Sequence, residues 1–161
     1  MSGELIKVGK YDLKYNKILD IDIAELDIYR STGLPAHMVK RKHFNCLKYI
    51  DDIPDILENP DYVGVNPNEK DKSIEFVKKY SKNVLLGVKL EKEGQYLYIS
   101  TMYEVQESKL NRRLYSGRLK EMSVDNVKKI STIIRCCSMI KEECKILINE
   151  RKECNEKQNI W

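Results

Sequence analysis

Between Asp61 and Tyr103 the chain carries four short runs rich in apolar and β-branched residues, each bounded by turn formers, and no other stretch limits the fold as strongly. Asp61 to Val65 and Ser73 to Val77 are separated by Asn66-Pro67-Asn68-Glu69. Asn83 to Leu90 and Gln95 to Tyr103 are joined by Glu91-Lys92-Glu93-Gly94, where Gly94 supplies a positive φ. Consecutive strands joined by such short turns pair antiparallel. Helical patterns come before and after this block rather than between its strands, so the expected class is α+β, with N-terminal helices packed on a four-stranded or larger antiparallel sheet.

Upstream, Glu4 to Val8 reads as a short strand, Asp12 to Leu19 as a short helix, and the end of Asp22 to Tyr29 as a strand entering the turn Ser31-Thr32-Gly33. Thr32 or Gly33 then caps a helix with Pro35 in its opening turn. Cys46 to Asp51 and the segment from Pro54 to Asn59 continue the helical run. Downstream, Gln106 to Ser116 reads as a helix stopped by Gly117. From Ser123, Val127, Ile130, Ile134 and Cys137 recur at helical spacing, which predicts a long C-terminal helix to about Glu150. The expected division is therefore a domain over 1–120 and a helical extension over 121–161 that packs on it or on a partner, including a second copy.

At 161 residues and 42% hydrophobic content the chain can bury a sizeable core, which argues against a disordered tail. It has neither a secretory leader pattern nor an apolar run long enough to span a bilayer, so a soluble, cytoplasmic protein is expected. Five cysteines, four of them at 136, 137, 144 and 154, fit reduced thiols better than a disulfide framework. The net charge of +4 is too small to name a partner, but its distribution is uneven. Four cations and no acid lie between Asn111 and Lys120, and five acids and no base between Asp51 and Asp61.

The chain's two histidines flank the cations Lys40, Arg41 and Lys42. One neutral imidazole could take a proton from a ribose 2′-hydroxyl, and a protonated one could give a proton to the leaving 5′-oxygen, in an order the sequence does not assign. Lys40, Arg41 or Lys42 could hold the phosphate. His37 and His43 are six residues apart, about 120° around an ideal helix, so they converge only if the helix ends near Lys42. Read blandly, this is a solvated basic helix. Arg112, Arg113 and Arg118 could clamp phosphates while Tyr115 stacks on a base, or they could line a surface helix whose Leu110 and Leu114 face the core. Alternation puts Ser100 and Met102 on one face of their strand and Thr101 and Tyr103 on the other. His43 and Cys46 form one H-x-x-C without a second pair, and no nucleotide-binding loop is present, so neither metal nor cofactor is expected.

Taken in order, these blocks resemble a known family. Ile28-Tyr29, His37 to His43, Ile53 to Gly64, Ser73-Ile74-Glu75, Val84 to Leu90, Ser100 to Tyr103 and Leu114 to Leu119 are similar to the phage and mobile-element branch of the barnase-EndoU-colicin-RelE nuclease superfamily. The resemblance implies metal-independent RNase activity on a helix-plus-antiparallel-sheet fold. It also implies a catalytic set of His37, His43, Lys40, Thr101 (or Ser100) and Tyr103. RNA is then the expected partner, tRNA among its candidates, with Arg41, Arg112, Arg113, Tyr115 and Arg118 as RNA-binding residues. Related chains often carry an arginine just before the Ser/Thr of the last strand, where this one has Ile99. Three readings follow: an endoribonuclease leaving a 2′,3′-cyclic phosphate, with a protein inhibitor or host factor among its candidate partners, a catalytically silent module of the same fold that binds RNA or a host protein as an anti-defence factor or one half of a toxin pair, and a structural domain that dimerises through its C-terminal helix.

Overall fold

Seven strands, four α-helices and one 3₁₀ segment make up residues 3–123, the part of the chain that this computed structural model describes. In order they are β1 (Leu5–Lys10), α1 (Lys14–Leu19), β2 (Asp27–Ser31), α2 (Leu34–Lys40), the 3₁₀ segment (Phe44–Asp52) and α3 (Ile53–Glu58). There follow β3 (Tyr62–Val65), β4 (Ser73–Lys79), β5 (Asn83–Leu90), β6 (Leu97–Val105), α4 (Glu107–Tyr115) and β7 (Leu119–Glu121). The class is α+β. The helix expected around Val127 to Ile140, its cysteines and any dimer contact it makes lie outside the described residues. No helix of the described residues is long and apolar enough to cross a membrane.

The strands join in one sheet of order β1-β2-β6-β5-β4-β3-β7. It is larger than four strands and not wholly antiparallel, because β2 runs parallel to β6 through Ile28↔Leu97 and Tyr29↔Tyr98. The reason is connectivity: β2 must deliver the chain into α2, which packs beside β6. Beyond Tyr98, the β6 edge that faces β2 has no strand partner among the described residues. The outer strand β7 was not foreseen, since three residues are too few to show a period, yet Leu119 is buried and registers with Gly64.

Alternation along β4 divides the core in two. Ile74 and Phe76 join Leu86, Val88, Ile99 and Met102 under the N-terminal helical segments, whose Tyr15, Leu34, Met38, Ile53 and Ile56 fill the larger cluster. Tyr15 ties α1 to α3 by donating its hydroxyl proton to the Leu57 carbonyl at 2.9 Å, and burial pushes its pKa well above the ordinary phenol value. Val77 joins Leu85, Val105, Leu110 and Leu119 on the opposite face, beneath α4.

That second face is crowded where the chain returns to the sheet. A Cβ placed on Gly64 would lie 2.1 Å from the Arg118 carbonyl oxygen, and one on Gly87 would lie 2.8 Å from Thr101 Cγ2. Backbone cannot yield as a flexible side chain can. Gly64→Ala is therefore expected to lower the unfolding free energy by about 1–3 kcal/mol or more, and Gly87→Ala by less, as read from urea denaturation of the two variants.

Candidate active site

The turn that follows α2 decides where the histidines go. The helix ends at Lys40, and the chain then folds back with His43 N–H donating to Met38 C=O at 2.8 Å and Lys42 N–H to Val39 C=O at 3.0 Å. This is the Schellman pattern, whose left-handed position is usually glycine. Here it is Lys42, at φ +61. The reversal ends the helix within two residues of Lys42, which is the condition the sequence set for convergence.

His43 lands beside Tyr103 of β6, its ring centroid 5.5 Å from that of Tyr103 at an interplanar angle of 33°. Its pKa lies below the ordinary imidazole value, first because burial penalises the charged form and then because His37 and Arg41 add positive charge nearby. His37 and His43 are both half-buried, whereas Lys40 and Arg41 are exposed. Among the described residues the Lys40 side chain makes no hydrogen bond or ion pair.

A row of residues paired across five strands forms the floor next to Tyr103: Leu119, Gly64, Glu75, Gly87 and Thr101. Glu75 is only 2% exposed, and of the glycines on either side of it Gly64 lies against the Arg118 backbone and Gly87 against Thr101 and Ser100. Glu75 accepts from Arg118 Nε at 3.0 Å and from Arg118 Nη2 at 2.5 Å. Arg113 Nη1 sits 3.6 Å from the same carboxylate without a hydrogen bond, and Arg113 Nη2 donates to the Tyr103 hydroxyl at 3.3 Å. A continuous polar chain thus runs from Arg118 through Glu75 and Arg113 to Tyr103, and by ring contact to His43. The bond to Glu75 is also the main reason the Arg118 pKa is raised.

Several expected site residues stand elsewhere or do something else. Arg118 and Arg113 are not free clamps, because Glu75 holds the first and shares the second with Tyr103. Arg112 is exposed on α4, and Tyr115 is 96% exposed. Ser100 and Thr101 are not split by alternation: the β6 register shifts at Ser100, and both side chains come near the position a Gly87 Cβ would occupy. Ser100 Oγ donates to the Gly87 carbonyl at 3.1 Å. Ile99 is fully buried in the larger core, on the face opposite Tyr103, so it leaves no gap beside Tyr103. The site reading missed Glu75, whose signal was a lone carboxylate amid an apolar strand. Among the described residues no group of three or more His, Cys, Asp or Glu side chains is placed to hold a metal ion.

Residues 6–112 match the sequence profile of a family described as phage-Barnase-EndoU-ColicinE5/D-RelE like nuclease3, well over half of the chain. The chain belongs to this nuclease family. No curated protein and no solved structure matches it. Membership points to nucleic acid as the substrate. The matched segment of this nuclease holds His37, His43, Glu75, Thr101 and Tyr103, while Arg113 and Arg118 lie just beyond it.

Two stability outcomes follow for the nuclease. Glu75→Ala strands two arginines and is expected to cost about 3–5 kcal/mol. The same change made in an Arg118→Met background costs distinctly less, as a double-mutant cycle by denaturant unfolding will read. Lys42→Gly relieves the left-handed turn and is expected to raise stability by up to about 1 kcal/mol, measured in the same way.

Proposed function

We propose that this nuclease is a metal-independent endoribonuclease that cleaves RNA through its own 2′-hydroxyl and leaves a 2′,3′-cyclic phosphate. The observation that carries the reading is the left-handed reversal at Lys42, with the His43 ring beside Tyr103 and the charge of His37 acting on it. An imidazole in the last turn of α2, a second just past the reversal, and a hydroxyl held by an arginine are groups that such a transfer needs.

The lowered pKa of His43 supports one order of the two. A group that is neutral at physiological pH suits the base, so His43 takes the 2′-hydroxyl proton as the 2′-oxygen attacks phosphorus. His37, as the imidazolium, gives its proton to the 5′-oxygen as the phosphorus–O5′ bond breaks. Tyr103 accepts from Arg113 and keeps its own proton for a nonbridging phosphoryl oxygen. Lys40 and Arg41, exposed on the same turn, and Thr101, at the end of the glycine-flanked row, complete the phosphate environment.

Full-length protein incubated with RNA in EDTA is expected to release fragments ending in 2′,3′-cyclic phosphate and 5′-hydroxyl. His37→Ala and His43→Ala should each lower kcat/KM by about 10²–10⁴-fold. Because the base works deprotonated, kcat/KM should rise with pH through an ionisation below the ordinary 6.5. Undiminished cleavage by the His43 variant would remove it from the chemistry.

A further inference from the structure

Between α4 and the β3–β4 turn, and linked to the histidine turn through Arg113 and Tyr103, lies a depression of about 660 Å³ lined by Lys109, Arg112, Arg113 and Arg118 with Ser116 and Pro67, and by no acid. We propose that it is a second phosphate subsite, which holds an internal phosphodiester of single-stranded RNA away from the scissile bond; the inference rests on the ribonuclease reading and names the kind of RNA that reading requires.

The spacing of the cations is the first argument. Residues 109, 112 and 113 form one stripe of α4, continued by Ser116 at its C-cap, next to the stripe of Leu110 and Leu114 that packs on the sheet. Like charges three and four residues apart destabilise a helix. The helix dipole compensates Arg112 and Arg113 in the last turn but opposes Lys109 in the first. A ligand anion removes both penalties.

Charge balance is the second argument. Of the four cations only Arg113 and Arg118 meet a carboxylate, the single buried Glu75, so three positive charges remain uncompensated. Lys109 and Arg112 side chains form no ion pair or hydrogen bond among the described residues. Arg113 Nη1 is buried and has no acceptor.

The third argument is continuity. Arg113 both lines the depression and donates to Tyr103, whose ring lies against His43. A strand that places one phosphate at His43 and Tyr103 can therefore lay a neighbouring one over Arg113 toward Lys109 and Arg112. Tyr115 offers an open ring at the end of the same helix for a base in between or beyond.

Binding of a fluorescent twelve-nucleotide single-stranded RNA across a salt series tests this, with full-length His37→Ala/His43→Ala protein as the uncleaving background. Adding Lys109→Ala and Arg112→Ala should make the negative slope of log K against log salt shallower by about 1.4, since each lost contact on single strands is worth about 0.7. Adding Lys17→Ala and Lys92→Ala, which removes the same charge from exposed positions elsewhere, should leave the slope unchanged. In the catalytic background, the Lys109/Arg112 change should lower kcat/KM about tenfold on the long RNA and leave a dinucleoside monophosphate unaffected. Equal slopes for the two charge-removing pairs overturn the subsite, as does a response confined to 5′-phosphorylated RNA, which would make it a terminal-phosphate site. A slope that becomes shallower although wild-type protein cleaves nothing keeps the subsite and discards the ribonuclease reading.

Discussion

A carboxylate buried in the middle of a sheet must be paid for in desolvation, and the pairing of Glu75 with Arg118 and Arg113 is the interaction on which the rest of this nuclease depends. Hydrophobic side chains of similar volume in place of both partners would hold the sheet as well or better. What the ion pair adds is placement. It draws the turn after α4 down onto the sheet, fixes the chain for β7, and orients Arg113 so that its other nitrogen meets the Tyr103 hydroxyl. Gly64 and Gly87 are part of the same device, since a methyl group at either would intrude on Arg118 or Thr101.

Tyr103 is reached from the other side by an unrelated device. The Schellman reversal after α2 uses a lysine where glycine would be relaxed, and it carries His43 to Tyr103 of β6. Neither device needs the other to form. One is a local backbone motif closed by hydrogen bonds between residues five apart or fewer, the other a long-range ion pair across the sheet and the turn after α4. Their meeting at one tyrosine makes the geometry hard to reproduce by chance packing, and it gives the histidine turn a fixed partner.

Legibility in the sequence followed the range of the interaction concerned. The strands of residues 61 to 103 were readable because alternation and turn residues are local, and so were the caps at Pro35 and Gly117. The parallel pairing of β2 with β6 was not, because nothing in a strand's own composition states its neighbour's direction. The bulge at Ser100 moved one hydroxyl to the other face, since a single inserted residue reverses an alternation argument. The role of Glu75 was hidden for the same reason as β2's partner. A lone acid in an apolar strand announces a buried charge, but Arg113 and Arg118 lie far along the chain, and only folding brings them to it.

The same interaction sorts the cations of this nuclease by what they can do. Arg118 is compensated by Glu75, and Arg113 in part, so neither carries a full charge toward a ligand. Lys40 and Arg41 on the histidine turn, and Lys109 and Arg112 on α4, are exposed and uncompensated, and they stand on either side of the Tyr103–Arg113 contact. Exposed charges steer and hold a polyanion through screened, salt-dependent attraction, whereas a paired, half-buried guanidinium keeps a hydroxyl in place whatever the salt. Binding and positioning are therefore assigned to different residues, and weakening one by salt leaves the other intact.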